Sequence, residues 1–197
     1  MRTILKIILA IFAIIIIATV AFGAIIFLDV AAYTATGSQT LTPTGTSVGK
    51  AIVIYDPGLS GTAKGVANKV AAELLAKSYT VTEAGVKSSI VANTTEYSVV
   101  VVGGPVYAGA LTSSVKNYLN KLPAGHASPG FGPYILIRVG VFGSGQGATS
   151  QSDIEMIKNS VTALSANGTL SGATVVKIGQ SEDLNTRVQD FVNQLVM

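Results

Sequence analysis

Three short stretches of this sequence carry residue types suited to holding a small, anionic, planar molecule. Ser60-Gly61-Thr62 places two hydroxyls and an unhindered amide directly ahead of a run with helical spacing. Gly103-Gly104-Pro105-Val106-Tyr107-Ala108-Gly109 sets one aromatic ring among small residues, and Gly143-Ser144-Gly145-Gln146-Gly147 is a run of amides with little side-chain bulk. Backbone N–H groups gathered at a helix start attract phosphate, and glycine lets a backbone come close to a ligand. One phosphate site beside a flat slot with an aromatic wall suits a mononucleotide with a planar ring. Other chemistries are excluded. There is no cysteine, hence no disulfide, thiolate nucleophile or cysteine metal site. The single histidine, His126, lies in a Pro/Gly-flanked stretch and reads as a solvated loop residue. No general acid–base constellation stands out, so no catalytic residue and no metal ligand is assigned.

The elements that must position these stretches follow from hydrophobic periodicity. Ile52 to Tyr55 is a short β-branched run, a buried strand. Val66, Val70 and Leu74 then recur at helical spacing. Tyr79 to Thr82 reads as a second strand whose polar flanks put it at a sheet edge, and Ser88 to Ala92 as a short helix. Ser98 to Val102 is continuously apolar, as a central parallel strand covered on both faces must be. A helix capped near Thr112 or Ser113 follows, with Val115, Tyr118, Leu119 and Leu122 inward. Beyond a Gly/Pro loop over Pro123 to Pro133, Tyr134 to Phe142 is the fourth strand. Ser152 with Glu155 forms a capping box for the next helix, whose apolar face is Ile154, Ile157, Val161 and Leu164. Ala173 to Ile178 is the fifth strand, and Leu184, Val188, Phe191, Val192 and Leu195 line the last helix. Alternation of strand and helix predicts an α/β domain, a doubly wound five-stranded parallel sheet joined by right-handed crossovers. Ligands of such sheets sit beyond the carboxyl ends of the strands, where the strand order reverses. The three glycine-rich stretches all follow strands at that end.

The segment ahead of this domain is different. Ile7 to Leu28 is uncharged and apolar, and would make about 33 Å of helix, enough to cross a bilayer core. A transmembrane anchor over 1–29 is therefore expected; a cleaved signal peptide is the competing reading. Arg2 and Lys6 on one side, with no Lys or Arg between Lys6 and Lys50, put the N-terminus in the cytoplasm and the domain outside a membrane crossed once. Residues 30–48 are Thr/Ser/Gly-rich and read as a flexible tether, with the domain itself over 49–197. The net charge of +3 is spread through the 197 residues without a basic stripe, so nucleic acid is not an expected partner.

Leu59-Ser60-Gly61-Thr62-Ala63 after a strand ending in Tyr55, Gly104-Pro105-Val106-Tyr107-Ala108-Gly109 with Ser113, Ser114 and Lys116, and Phe142-Gly143-Ser144-Gly145 together resemble the three flavin loops of the flavodoxin family, over 49–197. The resemblance implies strand order 2-1-3-4-5 and an FMN site. Leu59, Ser60, Gly61, Thr62 and Ala63 would wrap the phosphate. Pro105, Val106, Tyr107, Ala108 and Gly109 would meet the ring with Gly143, Ser144, Gly145 and Gln146. The direct step from the fifth strand to the last helix is similar to the short-chain form. There are departures: the first loop is one residue longer, Ala63 stands in the place of a hydroxyl, Asp56 would add negative charge near the phosphate, and the third loop has no acidic residue. The implied function is a membrane-tethered FMN electron carrier serving a redox partner protein or a membrane quinone. Two alternatives stand beside it: a flavin-free binding or scaffold module outside the membrane, and a quinone-linked or porphyrinogen oxidase of the same fold.

Overall fold

The computed structural model describes residues 6, 10–21, 23, 35–58, 60–122 and 137–197. The chain divides into two compact units, Met1–Tyr33 and Thr34–Met197. In the first, residues 10–21 form a helix, α1. Among the described residues no helix is long and apolar enough to cross a membrane. This corrects the expected transmembrane anchor and, with it, the single-pass placement. The described helical run over 10–21 spans about 18 Å, against the ~30 Å of a bilayer core. Apart from Lys6 and Gly23, the rest of the expected anchor lies outside the described residues, as do Leu59, His126, the loop over 123–133 and the first three residues expected in the fourth strand.

The second unit is built on a sheet of seven strands among the described residues: β1 Ser38–Leu41, β2 Gly49–Tyr55, β3 Tyr79–Gly85, β4 Val99–Tyr107, β5 Ala110–Leu111, β6 Arg138–Gly145 and β7 Thr174–Gly179. The order is β1-β3-β2-β4-β6-β7, with β5 paired to β4. Its parallel part, β3-β2-β4-β6-β7, is the expected five-stranded arrangement. The count of five is corrected by two antiparallel additions. β1 arises inside the stretch expected as a tether and covers β3, which is therefore not an edge. β5 closes a hairpin onto the end of β4.

Alternation along each strand sends side chains to two cores. On one face Ala51, Val53, Val99 and Val101 pack with Val66, Val70 and Leu74 of α2 (Thr62–Ala76) and Val188, Phe191 and Leu195 of α5 (Leu184–Val196). On the other, Ile52, Ile54, Val100 and Val102 meet Val115 and Leu119 of α3 (Ser113–Lys121) and Ile157 of α4 (Gln151–Asn159). The central β2 and β4 residues are fully buried because helices cover both faces. Two helix starts bear on the site, and the second differs from expectation. Gly61, left-handed at φ 68°, is the N-cap of α2 and supplies no side chain. The capping box of α4 is Ser150 with Asp153, two residues earlier in the chain than Ser152 with Glu155.

Candidate functional site

The strand order reverses between β2 and β4, and a cleft of about 520 Å³ opens at the carboxyl ends of the strands there. That volume falls in the usual range of small-molecule sites, about 300–1,000 Å³. Ser60 and Thr62 line it at the start of α2; Pro105, Val106, Tyr107, Ala108 and Gly109 line it from the end of β4; Ser144, Gly145 and Gln146 line it from β6. Of the other residues expected there, Leu59 lies outside the described residues. Gly61, Ala63 and Gly143 are not in the lining. Ala63 is buried in the α2 core, and Gly143 is packed beneath the cleft, where an added Cβ would stand 2.4 Å from Val106.

Each wall is shaped by local chemistry. Ser60 Oγ and Thr62 Oγ1 share a hydrogen bond of 2.8 Å, and Gln180 Nε2 donates to Thr62 Oγ1 at 3.4 Å. These hydroxyls stand beside the first-turn amides of α2, which have no carbonyl partner within the helix. The second wall, expected as a loop, is strand until Tyr107. There the chain reverses through Ala108 and Gly109, both at positive φ (49° and 81°), the geometry of a two-residue hairpin turn. The hairpin holds Tyr107 outward with 38% of its surface exposed. The third stretch is likewise strand as far as Gly145, and Gly145 O accepts from Gln180 N at 3.0 Å.

Asp56 is placed differently from expectation. It is buried, and its carboxylate turns away from the cleft to the N-terminus of α3. Thr112 Oγ1 donates to Oδ2 at 2.9 Å, Ser114 Oγ donates to the same oxygen, and Gly58 N donates to Oδ1 at 3.2 Å. Lys64 is exposed and borders a small hollow with Glu83 rather than the cleft.

Three lining residues were not foreseen: Asp153, Lys177 and Gln180. Lys177 interrupts the apolar run of β7 and is only 7% exposed; its Nζ donates to Asp153 Oδ2 at 3.0 Å. A lysine inside an otherwise apolar strand was the available signal, since a buried ammonium needs an acidic partner. The wall beside the third stretch, which has no acid of its own, thus carries a paired acid and ammonium from α4 and β7.

Three carboxylates around this end are held below their usual range. The Ser150 hydroxyl does so for Asp153, aided by Lys177. Burial alone would raise Glu182, but the Thr149 hydroxyl, the backbone of Gly179 and Thr149, and Arg187 outweigh it. The Thr186 hydroxyl and the Asn185 amide lower Asp183, the N-cap of α5. Depressed carboxylates contribute stability that is present above their unfolded values, about 4, and lost as pH falls through the folded ones. The urea midpoint should therefore hold steady from about pH 7 to pH 5 and fall below about pH 4. A midpoint that rises on acidification would contradict this arrangement.

A second cleft, of about 480 Å³, lies at the amino ends of the strands between Leu122, Ile137 and Leu195.

This sheet order, with its cleft at the β2/β4 reversal, defines a flavodoxin-like domain. No family model matches the chain, and no curated protein matches it. Among solved structures the chain is similar to a short-chain flavodoxin associated with a PDU bacterial microcompartment, at 21% identity and a TM-score of 0.51, over 75% of this chain and 95% of that one. It is also similar to the flavodoxin of Streptococcus pneumoniae TIGR4, at 19% identity and a TM-score of 0.50, over 74% of this chain and 96% of that one. At these identities the likeness is one of fold.

Proposed function

We infer that the domain binds FMN in the β2/β4 cleft and acts as an electron carrier between redox proteins. The observation that carries this reading is the pairing of two unlike walls in one cleft. One is a hydroxyl-lined helix N-terminus suited to a phosphate; the other is an outward-held tyrosine beside Pro105 and Val106, suited to a flat ring. The residues present fit the group, because the one acidic side chain of the first loop, Asp56, is turned to α3 and leaves the phosphate end without an opposing charge. FMN, when bound, supplies one- and two-electron chemistry. The chain's own residues do the rest. Ser60, Thr62 and the first amides of α2 would hold the phosphate. Tyr107 would cover one face of the ring and exclude water from it. The hairpin turn at Ala108-Gly109 and the backbone of Ser144 to Gln146 would fix the ring's edge. The likeness in fold to the flavodoxins supports the reading.

Titration of the full chain with FMN, followed by quenching of flavin fluorescence, tests this. Saturable one-to-one quenching is the expected result, and Tyr107→Ala should weaken it roughly fivefold, the equivalent of about 1 kcal/mol of ring contact. Unchanged fluorescence across the titration would overturn the carrier reading in favour of a flavin-free binding module.

A further inference from the structure

A neutral cleft wall would serve a carrier's fold as well as an ionic one, and would be easier to bury. Replacing a buried ion pair by apolar groups is often neutral or stabilising. The Lys177–Asp153 pair nevertheless forms part of the cleft's lining. Lys177 comes up from β7 in register with Gly143 of β6, and its Cε lies 3.6 Å from where a Cβ on Gly145 would stand. The Lys177 stem thus runs alongside the bare backbone of Gly145 to bring its ammonium to this wall. Asp153 is fixed in turn: its carboxylate accepts from Ser150 N at 3.0 Å and from Ser150 Oγ at 2.8 Å while it caps α4. An ammonium has three donors, and Asp153 takes one of them.

We propose that Lys177 is the anion-recognising group of the ring end of this cleft, held there by Asp153, and that it favours the reduced, anionic form of the flavin ring over the oxidised, neutral one. The proposal rests on the flavin reading above. The oxidised ring takes two electrons and one proton to become a monoanion; a low-potential electron-transfer protein, or dithionite in the test, is the donor and is itself oxidised. A fixed ammonium beside the ring stabilises that added charge in a poorly solvated wall, where Coulomb interactions are strong. Asp153 tempers the effect, so the pair sets the potential between two limits. A surrounding that lacks acidic residues reaches a less negative potential only passively; here a cation contributes directly.

The two partners should therefore shift the potential in opposite directions. The full chain is loaded with FMN, and affinities for oxidised and dithionite-reduced FMN are measured beside spectroelectrochemical midpoints. Lys177→Met should weaken binding of reduced FMN about tenfold relative to oxidised FMN, which lowers the two-electron midpoint by about 30 mV. Asp153→Asn should raise the midpoint, and Lys177→Arg should stay close to the wild type. Far-UV circular dichroism of the flavin-free variants reports separately on folding. Shifts of the same sign in Lys177→Met and Asp153→Asn, or no shift in either, would mean a purely structural pair and overturn the proposal. Failure of the wild type to bind FMN at all would remove the carrier reading and this inference with it. Binding with unmoved midpoints removes the inference alone.

Discussion

Gly103→Ala should lower the unfolding free energy of the domain by about 3 kcal/mol, the upper end of what overpacking a core costs. Gly103 lies in β4, between Tyr55 of β2 and Phe142 of β6. A Cβ at this position would stand 2.3 to 2.4 Å from three atoms of the Phe142 ring. Phe142 is fully buried within the core beneath α2 and α5, so the ring has no free space to swing into. Relief must come from the backbone, by separating β4 from β6 at the floor of the cleft. The same shift would reach the first loop, because Gly103 O accepts from Asp56 N at 2.9 Å. Urea denaturation should show a lower midpoint with an unchanged slope. Gly65→Ala makes the matched control. Gly65 lies inside α2 with nothing within 4 Å of an added Cβ, so alanine there should stabilise by about 0.5–1 kcal/mol. Equal midpoints for the two variants would show that the Phe142 contact does not govern this position.

Gly103 also shows why the sequence was readable in some places and misread in others. The five parallel strands could be read because residues such as Ile52 to Ile54 and Val99 to Val102 are apolar on both faces, which only a helix-covered strand requires. Glycine-rich runs were read as loops, yet Gly103, Gly104, Gly143 and Gly145 continue β4 and β6. At Gly103, Gly104 and Gly143 the missing Cβ makes room for Phe142 of β6, Val115 of α3 and Val106 of β4, and no local pattern shows that. Ser38-Gln39-Thr40-Leu41 reads as linker because its residues are polar. It becomes a strand through partners far along the chain, Gln39 donating to the buried carboxylate of Glu83 at 2.8 Å. The cleft was legible wherever backbone and small side chains form it. Its charged wall was not, because Lys177 meets Asp153 across the gap between β7 and α4.

Asp56→Ala should be the second large loss, about 3 kcal/mol, because it strips the acceptor from two hydroxyls and one amide in a buried setting. In the sequence Asp56 stands next to the first loop, and its charge seemed set against a phosphate. In the fold its partners are Thr112 and Ser114, and the carboxylate joins the end of β2 to the first turn of α3, where a helix N-terminus favours negative charge. It also holds Gly58 N, and Gly58 packs by its left-handed turn against Pro105 and the Tyr107 hydroxyl, both cleft-lining residues. Removing the carboxylate therefore loosens both walls together, and on the proposed FMN reading the affinity should fall at least about tenfold, or 1.4 kcal/mol. Asp56→Asn separates hydrogen bonding from charge. Its carbonyl oxygen still accepts from Gly58 N, and its amide can donate to hydroxyls that rotate to receive it. It should cost about 1 kcal/mol of stability and leave FMN affinity within about threefold of the wild type, less than 1 kcal/mol. Urea midpoints and fluorescence titrations of the two variants check both statements. An asparagine variant that binds FMN ten times tighter would mean that the charge of Asp56 reaches the phosphate despite its three donors. An alanine variant as stable as the wild type would mean that the β2–α3 clamp holds nothing together.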